Sequence, residues 1–502
     1  MKNPLLKRAL LMVMLISVTA AFFVSCASEY DILPQIQDDN GGTPAVETTG
    51  QEQEEEQEGN GRIPSDVPVM DFDGHEFRIL TYAQTGNPVL DFYDVFAESL
   101  TGEIFNDAVF RRNQTIEERY NITITQIHSP TSRDDIQRSV AAGSDDFDLV
   151  APRTIHAINQ IASGLFIDLN EAPHLNLDMP WYMQSSIDAF TLGGRLFAVY
   201  SDMLISPYAA TSLIIFNRRL QQDHGLEDPY QLVRDGRWTF DTLFDLARRS
   251  TVDLDGSGVM TIDDQHGFMS MNDSMAAFLV AGGGGMSRFA PDGMLEWELI
   301  NDRNISIMDR AFTLLYDDSI TINIQRPEFS AIGNAPMLTQ QLVTNENVVF
   351  AWTRLGNIPT LRAMEADFGM LPMPKFDEQQ QNFYSMVSPW QAMAMAIPMT
   401  VTDLERTSII MEAMSWESMY ETLPVYLETT LRFRAARDEE SAGMLDYIFA
   451  NTVIDPIMSF NFADVTSSFL RLAVEHDRNL QSFYEQRSMV VEEAIRSVWD
   501  LD

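Results

Sequence analysis

The alternation of strand and helix patterns from residue 77 onward is the feature that most restricts how this chain can fold. Short runs of apolar and β-branched residues, typical of strands, lie at residues 77–82, 122–127, 147–150, 213–216, 348–352 and 369–371. Amphipathic patterns typical of helices lie at residues 105–120, 134–142, 155–162, 239–249 and 305–316. Strands that alternate with such helices form βαβ units, so the sequence predicts an α/β fold with parallel sheets. Residues 404–499 are predicted to be mostly helical, with breaks at Pro424 and Pro456.

Length and charge exclude several classes of protein. The chain has 502 residues, which is enough for roughly two to four domains. Its net charge of −41 argues against a partner made of nucleic acid, because little positive charge is available to neutralise phosphates. The same charge argues against a polybasic membrane-surface protein. With 1 cysteine, 7 histidines and no HExxH sequence, a disulfide framework, a cysteine-rich metal site and a histidine-based metalloenzyme are not expected.

The N-terminus has the pattern of a secretory signal. Lys2, Lys7 and Arg8 precede an apolar run at residues 9–24, which is shorter than the ~20 residues that a membrane-spanning helix needs. The run ends at Cys26, the one cysteine of the chain, in a sequence that resembles a bacterial lipobox. The resemblance implies that residues 1–25 are a lipoprotein signal peptide and that Cys26 carries a lipid anchor at the extracellular face of the cell membrane. The alternative is an uncleaved anchor with an incidental cysteine.

Residues 26–68 are too polar and too acidic to form a core. The sequence QEQEEEQE at residues 51–58 illustrates this composition. Like-charged sequence of low hydrophobicity stays disordered, since burial cannot offset the entropy of ordering. We predict a tether that holds the folded body away from the membrane, and an acidic binding tail is the alternative.

No catalytic motif is present. The chain has no GxSxG sequence, no P-loop and no GxGxxG after a strand, and the four glycines at residues 282–285 are not followed by a lysine. Among 74 acidic residues a glycosidase pair cannot be selected by inspection. The sequence therefore favours a protein that is not an enzyme.

One spacing is typical of a calcium-binding loop of twelve residues. Oxygen-bearing side chains occupy positions 1, 3, 5, 9 and 12 of residues 253–264, a glycine occupies position 6, and position 7 would contribute its carbonyl oxygen. The predicted ligands are Asp253, Asp255, Ser257, Val259, Thr261 and Asp264. Since Gly267 follows almost at once, the second helix of an EF-hand is missing, and we expect a structural Ca²⁺ site. The alternative is a solvated turn of aspartates and glycines.

Several short stretches together resemble a known family, the extracellular solute-binding proteins of family 1, which are carbohydrate-binding lipoproteins of ABC importers in Gram-positive bacteria. The stretches span the chain from about residue 71 to residue 499, and the lipobox adds to the match. They lie at residues 77–81, 106–113, 117–122, 148–150, 164–169, 216–218, 236–239, 264–267, 369–374 and 436–441.

The resemblance implies a periplasmic-binding-protein-like fold, with two α/β lobes, a hinge and a ligand cleft between the lobes. We expect residues 69–208 and 390–430 in lobe 1, and residues 209–389 and 431–502 in lobe 2. The implied function is capture of a carbohydrate, in particular an oligosaccharide, by a monomer that delivers it to an ABC permease in the membrane. An adhesive or sensory surface lipoprotein is the main alternative, and a secreted glycan hydrolase is a further one.

Positions near strand ends and near the predicted lobe crossings supply the candidates for ligand binding, because ligands of open α/β sheets bind beyond the carboxyl ends of strands. Sugars need aromatic surfaces together with polar partners. The candidates are Tyr82, Arg153, Trp181, Asp202, Tyr208, Trp352 and Trp390. For each aromatic residue the alternative is ordinary core packing, and for Arg153 it is an ion pair with a nearby carboxylate.

Overall fold

The computed structural model describes residues 61–83, 93–361, 367–435 and 439–499. The predicted signal peptide, Cys26 and residues 26–60 of the tether lie outside the described residues, so those predictions stay open. Residues 64–502 group into one compact unit. Within the described part of the chain, no helix combines the length and the apolar character that crossing a bilayer requires.

The first sheet has three parallel strands, β1 (His75–Tyr82), β2 (Ile122–Ser129) and β3 (Leu149–Ala151), in the order β2-β1-β3. As predicted, helix α1 (Ile104–Tyr120) connects β1 to β2, α2 (Ser132–Ala142) connects β2 to β3, and α3 (Thr154–Ala162) follows β3. Helix α2 ends at Gly143, whose φ of 66° is left-handed and suits a residue without a side chain. Buried Phe77, Ile79 and Leu80 anchor β1 in the core, so this sheet matches the sequence pattern.

A layer of short elements joins the first sheet to the second. It contains a 3-10 helix (Leu169–Glu171), α4 (Gln184–Phe190), β4 (Thr191–Leu192), β5 (Arg195–Leu196) and α5 (Ser206–Ala209). Strands β4 and β5 form an antiparallel hairpin. Helix α5 leads directly into the second sheet.

The second sheet has five strands, β6 (Ser212–Asn217), β7 (His266–Ser270), β10 (Thr321–Asn323), β11 (Val348–Arg354) and β12 (Phe368–Leu371), in the order β10-β7-β11-β6-β12. The expectation of parallel sheets is wrong for β6, which runs antiparallel to both β11 and β12. Ser212, the first residue of β6, pairs with Arg354, the last residue of β11. The chain thus enters this sheet beside the carboxyl end of β11, and β6 therefore runs in the direction opposite to β11.

The remaining elements of this region surround the sheet. They are α6 (Arg218–Asp223), α7 (Pro229–Arg234), α8 (Phe240–Arg249), α9 (Ser274–Ala281), β8 (Ser287–Phe289), β9 (Leu295–Trp297), α10 (Asp302–Leu315), α11 (Pro327–Ser330), α12 (Ala335–Thr344) and a 3-10 helix (Leu355–Leu361). Helix α8 packs directly on β7 because Gly267 has no side chain: a Cβ atom there would lie 2.0 Å from the carbonyl oxygen of Ala247. This contact holds the first part of β7 against α8.

The C-terminal region is mostly helical, as predicted. Its elements are β13 (Ser385–Met386), α13 (Leu404–Tyr420), α14 (Thr422–Ala435), α15 (Glu439–Phe449), β14 (Thr452–Val453), α16 (Pro456–Phe460), a 3-10 helix (Phe462–Asp464), α17 (Val465–Glu475) and α18 (Leu480–Trp499). Pro424 and Pro456 both lie in the first turn of a helix, where a missing N–H is tolerated.

The chain returns from the second sheet to the first after β13. Ala396 pairs with Val150 of β3, and Met393 pairs with Arg153. Helices α13 and α14 then pack on α1, whereas α15 packs on β12. The C-terminal helices contact the helices around both sheets, since α16 packs on α3 beside the first sheet and α17 packs on α9 beside the second. The predicted lobe boundaries remain predictions, and the segments that connect the two sheets lie near residues 206–211 and 387–393.

Candidate ligand-binding cleft

A cavity of about 410 Å³ lies where strands of both sheets end. Arg153 follows β3 of the first sheet, Asp273 follows β7, Gln325 follows β10, and Arg354 is the last residue of β11. Trp390, on the segment that returns to the first sheet, lines the same cavity. The carboxyl ends of the strands in two sheets thus converge on one space, which is where ligands of open α/β folds bind.

Arg153 is held against two aromatic rings at the centre of this region. Its guanidinium carbon lies 4.8 Å from the ring centroid of Tyr82 and 5.6 Å from that of Trp390. The next residue, Thr154, donates its backbone N–H to the carbonyl oxygen of Ala392 at 3.0 Å, which ties this part of the first sheet to the returning segment. Burial lowers the pKa of the Arg153 guanidinium, while Tyr82 opposes the shift. Cation–π contacts of this kind stabilise a fixed guanidinium by about 0.5–2 kcal/mol.

Arg354 links three segments of the chain at the second sheet. Its Nη1 lies 3.4 Å from Oδ2 of Asp273 and 3.3 Å from the hydroxyl of Ser388, which itself donates to Asp273 at 2.9 Å. The guanidinium also lies 5.6 Å from the ring centroid of Trp352. The end of β11, the residue before α9 and the connecting segment are therefore linked at the wall of the cavity.

Helices α12 and α17 close the other side. Ala335, Pro336 and Leu470 contribute apolar surface, and Arg471 contributes a third guanidinium. Arg471 donates to the hydroxyl of Ser468 at 3.0 Å. The cavity therefore has both the apolar and the polar surface that binding of a sugar requires.

A smaller cavity of about 260 Å³ adjoins the first through Arg153, which lines both. Tyr82, Arg133 and His156 also line it. Burial, together with the charges of Arg153 and Arg133, lowers the pKa of His156 to about 4. The imidazole is thus neutral at pH 7, and its ring lies edge-on to Trp390 with centroids 6.5 Å apart.

Asp202 and Tyr208 form a buried pair at the segment that leads to α5. The Tyr208 hydroxyl donates to Oδ1 of Asp202 at 2.5 Å, and burial raises the pKa of Asp202 to about 7. Tyr208 also contacts Phe449 edge-on. Neither residue lines the larger cavity, so this pair lies at the connection between the sheets and outside that cavity.

The structure brings three of the predicted residues, Tyr82, Arg153 and Trp390, together around the two adjoining cavities. Trp352 is 0% exposed and packs under Arg354. Trp181 is 1% exposed and donates its indole N–H to Oε1 of Glu412 at 3.0 Å. These two tryptophans therefore lie in the core beside or away from the cleft.

The sequence reasoning missed Asp273, Gln325, Arg354 and Arg471. Asp273 and Gln325 follow strands β7 and β10, whose short and partly polar sequences do not predict strands. Arg354 lies two residues after the predicted strand at residues 348–352, and this position near a strand end is a signal for it. No local signal marks Arg471, because only the packing of α17 brings it to the cavity.

The calcium-like loop folds back on itself outside this cleft. Ligand oxygens of Asp253, Asp255 and Asp264 lie within 4.8 Å of one another. Oδ1 of Asp264 accepts a hydrogen bond from the backbone N–H of Leu254, and Oδ2 accepts one from Thr261. The hydrogen bonds from Thr261 lower the pKa of Asp264, which keeps it ionised. The donor set of several hard oxygens on a glycine-containing loop fits Ca²⁺.

Comparison with solved structures identifies the architecture. A substrate-binding protein of an ABC transporter from Listeria monocytogenes, in complex with cycloalternan, superposes with a TM-score of 0.50 at 13% identity, covering 85% of this chain and 98% of that one. UspC of M. tuberculosis gives a TM-score of 0.52 at 14% identity, with 83% and 100% covered. The chain has the fold of the ABC solute-binding proteins.

A third structure is an ABC transporter solute-binding protein from Thermotoga lettingae bound with α-D-tagatose. It superposes with a TM-score of 0.50 at 14% identity, covering 85% of this chain and 100% of that one. No protein-family model and no curated protein matches the sequence. The predicted two-lobed α/β fold is confirmed, and the neighbours are of the kind that the sequence resembles.

Proposed function

We propose that this protein is the substrate-binding component of an ABC importer and captures a carbohydrate between its two lobes. The observation that carries the proposal is the convergence of strand ends from both sheets on one cavity lined by Trp390, Arg153 and Asp273. Structures with the same fold hold cycloalternan and α-D-tagatose, which supports a sugar as the ligand. Sugars offer apolar C–H faces that pack on aromatic rings and hydroxyl groups that bond to charged side chains.

Binding would act through closure of the cleft. The segments near residues 206–211 and 387–393 connect the two sheets. A ligand that contacts Arg153 on one side and Arg354 on the other makes its full set of contacts only when the lobes are close together. Its binding energy then favours the closed state, which a permease can distinguish from the open one.

A binding and compaction experiment tests this proposal. The purified protein is titrated with mono- and oligosaccharides, and its radius of gyration is measured by small-angle X-ray scattering with and without the sugar that binds. A ligand at 100 times its dissociation constant should stabilise the protein by ~2.7 kcal/mol and reduce the radius. Binding without compaction would favour a sensory or adhesive lipoprotein, and the absence of binding across a broad panel would contradict the proposal.

A glycan hydrolase is less well supported. Such an enzyme needs two carboxyl groups ~5–10 Å apart in one cleft. Among the described residues that line the larger cavity, Asp273 is the one carboxylate, and it is engaged by Arg354 and Ser388. Incubation with the bound sugar should therefore give no product.

We further propose that the protein is a monomer anchored by a lipid on Cys26 at the extracellular face of the membrane. The charged start, the apolar run at residues 9–24 and the position of the cysteine support this. An anchored binding protein needs a spacer between the membrane and its folded part. The acidic segment at residues 26–68 would provide this spacer, since like charges extend a disordered chain.

We also propose a structural Ca²⁺ ion in the loop at residues 253–264. The carboxylate oxygens would come from Asp253, Asp255 and Asp264, the hydroxyl oxygens from Ser257 and Thr261, and a carbonyl oxygen from Val259. Without a cation, three carboxylates lie close together and repel one another. The ion would offset this repulsion and stabilise the connection between α8 and β7.

A further inference from the structure

The candidate cleft is rich in positive charge although the chain is strongly acidic. The protein has 74 Asp and Glu against 33 Lys and Arg. Among the described residues that line the larger cavity the ratio is reversed, with Arg153, Arg354 and Arg471 against Asp273. The charge of Arg153 also extends into the adjoining cavity, where it disfavours protonation of His156. A local field opposite to the overall charge selects and attracts ligands of the opposite sign.

Several buried hydrogen-bond donors at this cleft have no acceptor. Nε of Arg153, Nε of Arg354 and Nε1 of Trp390 are buried, and no described residue accepts a hydrogen bond from any of them. A buried donor without a partner costs about 1–3 kcal/mol. A ligand rich in acceptor oxygens would recover part of this cost.

The arginines are also incompletely neutralised. Among the described residues, no carboxylate lies within ion-pair distance of Arg153 or Arg471, and the nearest to Arg354 is Asp273 at 3.4 Å. The rings of Tyr82 and Trp390 lie against the guanidinium of Arg153. Aromatic rings supply no carboxylate, so these contacts hold the guanidinium in place without an anionic partner.

We infer that the carbohydrate bound in this cleft carries an oxyanion, either the carboxylate of a uronic acid or a sulfate ester, which Arg153, Arg354 and Arg471 recognise. This inference depends on the proposed capture of a carbohydrate. An oxyanion has only acceptor atoms and therefore matches the N–H groups of three arginines, whereas each hydroxyl group of a neutral sugar donates as well as accepts. Two N–H groups of a guanidinium match two oxygens of a carboxylate or sulfate.

Calorimetric titration of the full-length protein tests the inference with three sets of disaccharides and trisaccharides. One set consists of neutral galactose units, one of galacturonic acid units in the same linkage, and one of galactose units that carry a sulfate ester. We expect one of the acidic sets to bind at least 10-fold more tightly than the neutral set. The affinity of that set should fall when NaCl is raised from about 50 to about 500 mM, because salt screens the attraction. The two acidic sets distinguish a carboxylate from a sulfate ester.

Variants of the cleft identify the residues responsible. Arg354→Gln and Arg471→Gln should each weaken binding of the acidic sugar about 10- to 100-fold, which corresponds to the loss of a hydrogen bond to a charged group. Arg471 lies on an exposed part of α17, so its variant should fold normally. Arg249→Gln, at an exposed position of α8 outside the cavity, is the matched control and should leave the affinity unchanged.

Two outcomes would overturn the inference, and they can be told apart. Neutral sugars that bind as tightly as acidic ones, with no loss in either cleft variant, would refute the oxyanion while leaving the proposed capture of a carbohydrate intact. No binding in any of the three sets, together with no binding in the broad sugar panel, would refute the proposed function itself.

Discussion

Trp181 provides a direct test of how the buried polar groups are arranged. Its indole N–H donates to Oε1 of Glu412 at 3.0 Å, while the hydroxyl of Tyr182 and the backbone N–H of Asn176 donate to Oε2 at 2.6 and 3.2 Å. Glu412 is 1% exposed, and burial raises its pKa to about 7. The substitution Trp181→Phe removes the only one of these donors that reaches Oε1 and leaves that oxygen buried without it.

The cost of this substitution has two parts. Loss of a hydrogen bond to a buried charged group costs about 1.5–3 kcal/mol, and replacing an indole by a smaller ring adds about 1 kcal/mol for the lost packing. The first part applies fully only when Glu412 is ionised, at pH values above about 7. A donor favours the ionised form, so its removal raises the pKa of Glu412 further, and one unit of pKa corresponds to 1.36 kcal/mol. The loss of stability should therefore be greater at pH 8.5 than at pH 5.5 by about 1 kcal/mol or more.

Urea-induced unfolding at the two pH values measures this difference. Trp238→Phe is the matched control: Trp238 is 0% exposed and donates its indole N–H to the neutral carbonyl oxygen of Pro372 at 2.9 Å, so the destabilisation that it causes should not change with pH. Affinity for the sugar should stay unchanged in Trp181→Phe, because Trp181 does not line the cavity. A destabilisation that is equal at both pH values, or a loss of binding without a loss of stability, would refute this reasoning.

Four further predictions follow from the other sites. Trp390→Ala should weaken sugar binding at least 10-fold by calorimetry, because it removes an aromatic surface of the cleft and the support of Arg153; unchanged affinity would place the ligand elsewhere. Chelation of Ca²⁺ should lower the melting temperature, and Asp253→Ala should abolish that effect. A melting temperature that does not change with chelator would show that the loop at residues 253–264 binds no Ca²⁺. Cys26→Ala should move the protein from the membrane fraction to the medium, as detected by immunoblotting, and retention in the membrane would indicate an uncleaved anchor. Asp202→Asn should stabilise the protein at pH 8 by up to about 4 kcal/mol and have little effect at pH 3.5. The sign follows because burial raises the pKa of Asp202 from 3.8 to about 7 in the folded protein. Protonated Asp202 therefore contributes its full stability below pH 3.8, and this contribution is lost as the pH rises to 7. Equal unfolding free energies of the variant and the original protein at pH 8 would contradict this reasoning.

The periodicity of the sequence was sufficient to predict the first sheet. Strand β3 is buried throughout, β2 begins with alternating buried and exposed residues, and helix α2 between them ends at Gly143. The direction of β6 was not predictable, because a run of apolar residues has the same pattern in a parallel and in an antiparallel strand. Only the point at which the chain enters the second sheet determines that direction.

The sequence by itself determined the fold class and, through the position of residues after strands, part of the cleft. Arg153 and Trp390 were found because they lie near a strand end and a connecting segment, which are local properties of the chain. Tertiary structure alone decided which tryptophans are buried and which arginines line one cavity. The sequence does not distinguish Trp352, which is buried in the core, from Trp390, which lines the cleft. The sequence also does not reveal the charge of the cleft. Arg153, Arg354 and Arg471 are each separated by more than a hundred residues, in a chain with an excess of acidic residues, and only the packing of two sheets and α17 brings them to one cavity.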